Sequence, residues 1–105
     1  MLSICFTEDH EHEWWVSSQV FERLFSSAIQ RGYLASSFDE WRHVAAANGG
    51  ISFGDDERSV ARELMTGLRA AARADLARLG DVDPRTEDGT YKVSLEKLMV
   101  ATEAV

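Results

Sequence analysis

One cysteine, one proline and no long apolar run set the first limits on this 105-residue chain. A lone thiol, Cys5, cannot close an internal disulfide, so the fold does not call for an oxidising compartment. No stretch is long enough to cross a bilayer as a helix, and the opening MLSICFTEDH has no basic flank ahead of an apolar core. A cytoplasmic protein that neither enters a membrane nor carries a leader is therefore expected. Basic residues are also scarce: 11 Lys and Arg stand against 18 Asp and Glu, a formal net charge of −7. Grip on a nucleic-acid backbone comes from neutralising phosphates with Lys and Arg, so direct nucleic-acid binding is not expected and a basic partner is the easier one. Neither a G-x-G-x-x-G turn nor a Walker lysine motif occurs, which argues against a nucleotide site of either kind.

What remains is the composition of a folded chain, 45% hydrophobic and 28% charged, of a length that one core can serve. We expect residues 1–105 to form a single globular domain.

Leu2, Ile4 and Phe6 alternate with Ser3, Cys5 and Thr7, which predicts a strand with one apolar face. From about Asp9 to Arg31 the period becomes helical. Trp14, Val20, Phe21, Leu24, Phe25, Ala28 and Ile29 fall on one side, with Gly32 as the stop. Ser37 and Glu40 have the spacing of a capping box, so a short helix is expected from Phe38 to Asn48-Gly49-Gly50, with Trp41, Val44 and Ala45 inward. Ile51-Ser52-Phe53 reads as a strand or a buried connection. Asp55, Asp56 and Glu57 suit the positive end of a helix dipole and open the longest helix, which runs to about Leu79 and Gly80. A polar loop follows from Asp81 to Gly89, then a short strand over Thr90 to Val93, and a terminal helix capped by Ser94. The fold expected is α+β and mainly helical, about four helices covering a small sheet of two or three short strands.

The most unusual stretch is TEDHEHEWW, Thr7 to Trp15. On a helix His10 and His12 point about 200° apart and cannot share an ion, whereas on a strand they would share a face with Glu8. Because the helical period includes Trp14, the stretch reads as the acidic start of a helix, with no metal and no cofactor expected. The alternative is a small metal-dependent or catalytic domain using His10, His12 and Glu8. Asp81 and Asp83 begin like a calcium loop, but Thr86 stands where glycine is required and Lys92 where glutamate is. Cys5 lacks any signature of a catalytic cysteine, although His10, His12 or His43 could in principle serve it as base. Ala45 to Arg62 has the outline of a helix-turn-helix, yet Asp55, Asp56 and Glu57 would be driven at phosphates. No catalytic residue is assigned.

Three acidic clusters are left: Glu8, Asp9, Glu11 and Glu13; Asp55, Asp56 and Glu57; Asp81, Asp83, Glu87 and Asp88. Beside the first sits Trp15, expected at the edge of the core. A tryptophan ringed by carboxylates has the composition of an interface anchor with electrostatic steering. The expected function is that of a small binding protein that neutralises a basic protein partner, a toxin or a nucleic-acid-binding protein, by occluding its active or nucleic-acid-binding surface. Immunity proteins, antitoxins and phage-encoded inhibitors share this profile as a class. A structural or regulatory subunit of an oligomer is the remaining alternative.

Overall fold

The computed structural model describes residues 1–6 and 13–103. Its elements are β1 (Leu2–Cys5), β2 (Glu13–Val16), α1 (Ser18–Gln30), α2 (Asp39–Asn48), β3 (Gly50–Ser52), α3 (Arg58–Leu79) and α4 (Glu87–Ala101). Four helices pack against a three-stranded mixed sheet of order β2-β1-β3, so the fold is α+β and mainly helical, as the sequence implies.

The sheet is built on the alternation of β1. Ile4 lies between Trp14 of antiparallel β2 and Ile51 of parallel β3, and Leu2 lies opposite Val16. These side chains share the face that the helices cover, and all are buried. The Trp14 indole donates to the Ser94 carbonyl at 3.1 Å, which fixes β2 against α4 and satisfies the one polar atom of a ring that is 1% exposed.

The first helix does not begin at Asp9. Glu13 to Val16 is strand, and α1 starts at Ser18, where the Ser17 hydroxyl accepts the Val20 N–H at 3.2 Å. Trp-Trp-Val is a bulky, β-favouring run with its own period of two, Trp14 and Val16 inward and Trp15 outward. The helical stripe is complete without it, in Val20, Phe21, Leu24, Phe25 and Ala28.

Ser37 does not cap α2. Ser36 to Phe38 form a 3₁₀ turn and α2 begins at Asp39 with no side chain on its free N–H groups. Val44, expected inward, is exposed, while Trp41 packs on Phe53 with ring centroids 5.0 Å apart. At the other end Gly49 takes φ 73°, a conformation that favours glycine, and its N–H bonds Ala45 O. Ile51-Ser52 then completes a strand and not a buried connection.

Asp55 to Glu57 form one 3₁₀ turn ahead of α3, and Glu57 reaches back to the Gly54 N–H at 3.0 Å. The arginines of α3 differ in their surroundings. Arg58, Arg62 and Arg73 are exposed, whereas Arg69 turns to the end of α4 and donates to Met99 O at 3.3 Å and to the Thr102 hydroxyl.

The stretch Thr90 to Val93 is helix, not strand, and the last three residues of the expected loop, Glu87 to Gly89, already belong to α4. Thr86 caps α4 by accepting the Gly89 N–H at 3.0 Å, and Ser94, within the helix, bonds back to Thr90 O. Tyr91, Leu95, Leu98 and Thr102 form one buried stripe at helical spacing that the local alternation concealed. Gly89 is required by contact, because a Cβ there would collide with the Asp83 carbonyl. Thr86→Ala should therefore cost about 1 kcal/mol of stability and Ser37→Ala close to nothing. Urea unfolding of the two variants checks this, and a reversed order would return the cap to Ser37.

Candidate functional site: the outer face of the sheet

The residues that alternate with the core strand positions make the second face. Across β2, β1 and β3 one row reads Trp15, Ser3, Gly50 and the next reads Glu13, Cys5, Ser52. Trp15 is 56% exposed although its neighbour Trp14 is 1% exposed. A strand places successive side chains on opposite faces, and that alone explains the contrast.

The Glu13 carboxylate is held from β1. Its Oε1 accepts the Ser3 hydroxyl at 2.6 Å and the Cys5 thiol at 3.3 Å. Cys5 itself is 5% exposed. Burial pushes its thiol pKa up, the Ser3 hydroxyl opposes that, and the Glu13 carboxylate adds to it. A thiol held protonated next to a carboxylate is a poor nucleophile, which agrees with the absence of any cysteine-catalysis signature.

The pH consequence follows from the sign of the shift. The folded state keeps the Cys5 proton more tightly than the unfolded chain, so this stability is present below the free-thiol pKa of about 8.5 and falls as pH rises towards the folded value. As pH rises from 8 through the free-thiol pKa the urea midpoint should decline, and Cys5→Ser should flatten that decline. Thiol reagent at pH 8 should label native protein at least tenfold more slowly than unfolded chain, an order-of-magnitude expectation. Equal labelling rates would contradict a buried, protonated thiol.

The chain leaves β1 and enters β2 at the end of the sheet that holds Cys5, Glu13 and Ser52, and Asp55 follows Ser52 by three residues. Glu13 and the Asp55, Asp56, Glu57 group therefore belong to one end of the sheet. Glu8, Asp9 and Glu11 lie outside the described residues. So do His10 and His12, and with them the metal alternative. The helical argument against that pair no longer applies, since the helix starts only at Ser18. Among the described residues no group of three or more His, Cys, Asp or Glu side chains could hold a metal ion.

The third cluster is elsewhere. The 22 residues of α3 span about 33 Å, and Asp81, Asp83, Glu87 and Asp88 follow the far end of that helix. Part of it serves the fold: Asp88 pairs with Arg23 at 2.9 Å, and Asp83 accepts the Arg85 N–H at 2.9 Å.

Sequence reasoning missed Asp75. Its carboxylate, 2% exposed, accepts the Tyr91 hydroxyl at 2.6 Å and pairs with Arg31 at 2.9 Å. Burial and the neighbouring Asp75 charge push the Tyr91 pKa well up, so the phenol stays protonated as a donor. The signal was available, since Leu64, Leu68, Ala71, Asp75 and Leu79 keep helical spacing and put a carboxylate in the apolar stripe.

Comparison of the chain with protein-family models, curated proteins and solved structures yields no match. No helix among the described residues is long and apolar enough to cross a membrane.

Proposed function

We propose that this chain is a small cytoplasmic binding protein that neutralises a basic protein partner by occluding its active or nucleic-acid-binding surface, in the manner of the immunity-protein, antitoxin or phage-inhibitor class. The observation that carries the reading is Trp15, a large apolar side chain more than half exposed on the outer sheet face, with a carboxylate held by Ser3 and Cys5 two residues away on the same strand. Exposed tryptophan is costly to keep in water and is enriched at the energetic centres of interfaces. Glu13, in the next row on that face, and the Asp55, Asp56, Glu57 group beyond Ser52 at that end of the sheet supply the negative field that would draw in a positive surface. A buried thiol outside any disulfide suits a reducing compartment.

The test uses the whole chain as bait in an extract of cells that produce it, followed by assay of each captured protein with and without added pure chain. The expected result is a basic partner whose enzymatic or nucleic-acid-binding activity falls to baseline at one equivalent. Capture of neutral or acidic proteins alone, or of a basic protein whose activity is untouched by saturating chain, would sink the reading.

A further inference from the structure

We propose that the outer edge of β2 takes an extended segment of the basic partner as a fourth strand, bonded through the backbone of Trp15. The assignment rests on the reading of a basic protein partner and adds the way that partner is held.

The hydrogen-bond pattern of the sheet decides which groups face outward. Ser3 donates its N–H to the Gly49 carbonyl at 3.2 Å, on the β3 side, and a Cβ on Gly50 would meet the Ser3 carbonyl, so that group faces β3 as well. Ser3 therefore makes no ladder bond to Trp15, the residue opposite it on β2. In an antiparallel pair, two opposed residues that do not bond each other both turn their N–H and C=O away from the other strand. Trp15 thus directs its backbone donor and acceptor out of the open side of β2, which ends the sheet order β2-β1-β3. Neither group has a partner among the described residues.

Exposed strand edges recruit other strands, and proteins blunt them with lysine, proline or a bulge. β2 has none of these: its register with β1 is unbroken, and Glu-Trp-Trp-Val contains three strongly β-favouring side chains. β3, at the other edge, has three residues and starts with Gly50. An antiparallel strand laid against β2 closes two N–H···O bonds with Trp15 and sets one side chain beside an indole that is 56% exposed. Alternation then fixes the chemistry of that strand. Side chains on the row of Trp15 and Glu13 stand on the outer face, where the −7 net charge, Glu13 and the Asp55, Asp56, Glu57 group at that end of the sheet favour cations through their field, with no bond to Glu13 required. The residues between them point as Trp14 and Val16 do, towards the apolar layer, and suit Val or Ile. The segment recognised is extended, with basic and β-branched residues in alternation.

Amide exchange of the isotope-labelled full chain reads the edge first: the Trp15 amide should exchange at least about tenfold faster than that of Trp14, which stands in the bonded pair with Ile4. The probes are three short peptides titrated at physiological salt: one alternating Lys and Val, one with Glu in place of each Lys, and one N-methylated at each Lys. The Lys-Val peptide should shift the Trp15 amide saturably and slow its exchange. The other two should bind about tenfold or more weakly, one through reversed charge and the other through lost backbone donors. Because the block sits in the peptide, the folding of the chain is not in question. A Trp15 amide as slow as that of Trp14 in dilute chain, protection that grows with chain concentration and marks a second copy on the edge, or equal binding of either altered peptide would overturn the assignment. If the Trp15 amide stays fast in complex with a captured basic partner whose activity is silenced, edge pairing alone falls. Protection by the Lys-Val peptide, with no captured partner inhibited, sinks the partner reading and leaves the edge site standing.

Discussion

Asp75→Ala is expected to cost about 3 kcal/mol of folding free energy, a large fraction of what a domain of this size has. The carboxylate is buried in the stripe by which α3 meets α1 and α4, and it joins all three: Arg31 follows α1 and Tyr91 lies on α4. Removing it leaves the Tyr91 hydroxyl, on a ring that is 1% exposed, with no acceptor, and leaves Arg31 without its partner. A buried donor without an acceptor costs about 1–3 kcal/mol, and the uncompensated ion and the cavity add to that. Arg31 is partly exposed and can turn to water, which keeps the total below the upper range for broken buried pairs. Asp75→Asn keeps an acceptor for Tyr91 and should cost about half as much, while Tyr91→Phe, which leaves the Arg31 pair intact, should cost about 1 kcal/mol. Urea unfolding of the three single variants, with the Asp75→Ala, Tyr91→Phe double variant closing the cycle, should give a coupling of about 1 kcal/mol or more. Additive losses would mean that the short hydrogen bond contributes nothing, and a loss below about 1 kcal/mol for Asp75→Ala would reduce the network to packing.

The same residues explain what was legible in the sequence. Where one period runs alone, it identifies the element type. Leu2 to Phe6 has only the period of two and Leu2–Cys5 is strand; Val20 to Ala28 and Ala61 to Ala72 have only the helical one and lie within helices, although α1 starts at Ser18 and not at Asp9. Errors arose where two periods overlapped. Trp14 fits both the α1 stripe and an alternating Trp-Trp-Val run, and only pairing with β1, a tertiary fact, chose the strand. Thr90 to Val93 alternates over four residues, but Tyr91 also begins a helical series through Leu95 and Leu98, and burial against α3 chose the helix. Capping went astray for a related reason. Ser37-x-x-Glu40 satisfies a spacing rule, yet the preceding residues wind as a 3₁₀ turn, and the cap that forms is Thr86, held in place by its own hydroxyl bond to Asp83 O at 2.7 Å. Composition points to Glu13 and Trp15 as candidate contact residues, but their relation to Ser3, Cys5 and Gly50 exists only once β1 pairs on both sides.

Replacing Trp15 with alanine is expected to weaken binding of the proposed basic partner by about 2 kcal/mol or more, close to thirtyfold, almost wholly through faster dissociation. The indole is already solvated in the free chain, so its loss should leave stability nearly unchanged, unlike any substitution of Trp14, whose ring fills the core and whose N–H is bonded to Ser94 O. Neutralising Asp55, Asp56 and Glu57 to Asn, Asn and Gln should act on the other rate. Charges outside the contact centre set the encounter and not the lifetime, so association should slow several-fold at low salt and the difference should shrink as salt screens the field over about 8–10 Å. Asp81→Asn provides the internal control, because it lies at the far end of α3 and should change neither rate. Stopped-flow association with the captured partner, together with dissociation by chase, separates the three effects. A Trp15→Ala variant that dissociates like wild type would move the contact off the sheet face, and an Asp81→Asn variant slower than the triple variant would place the steering field at the opposite end of the molecule.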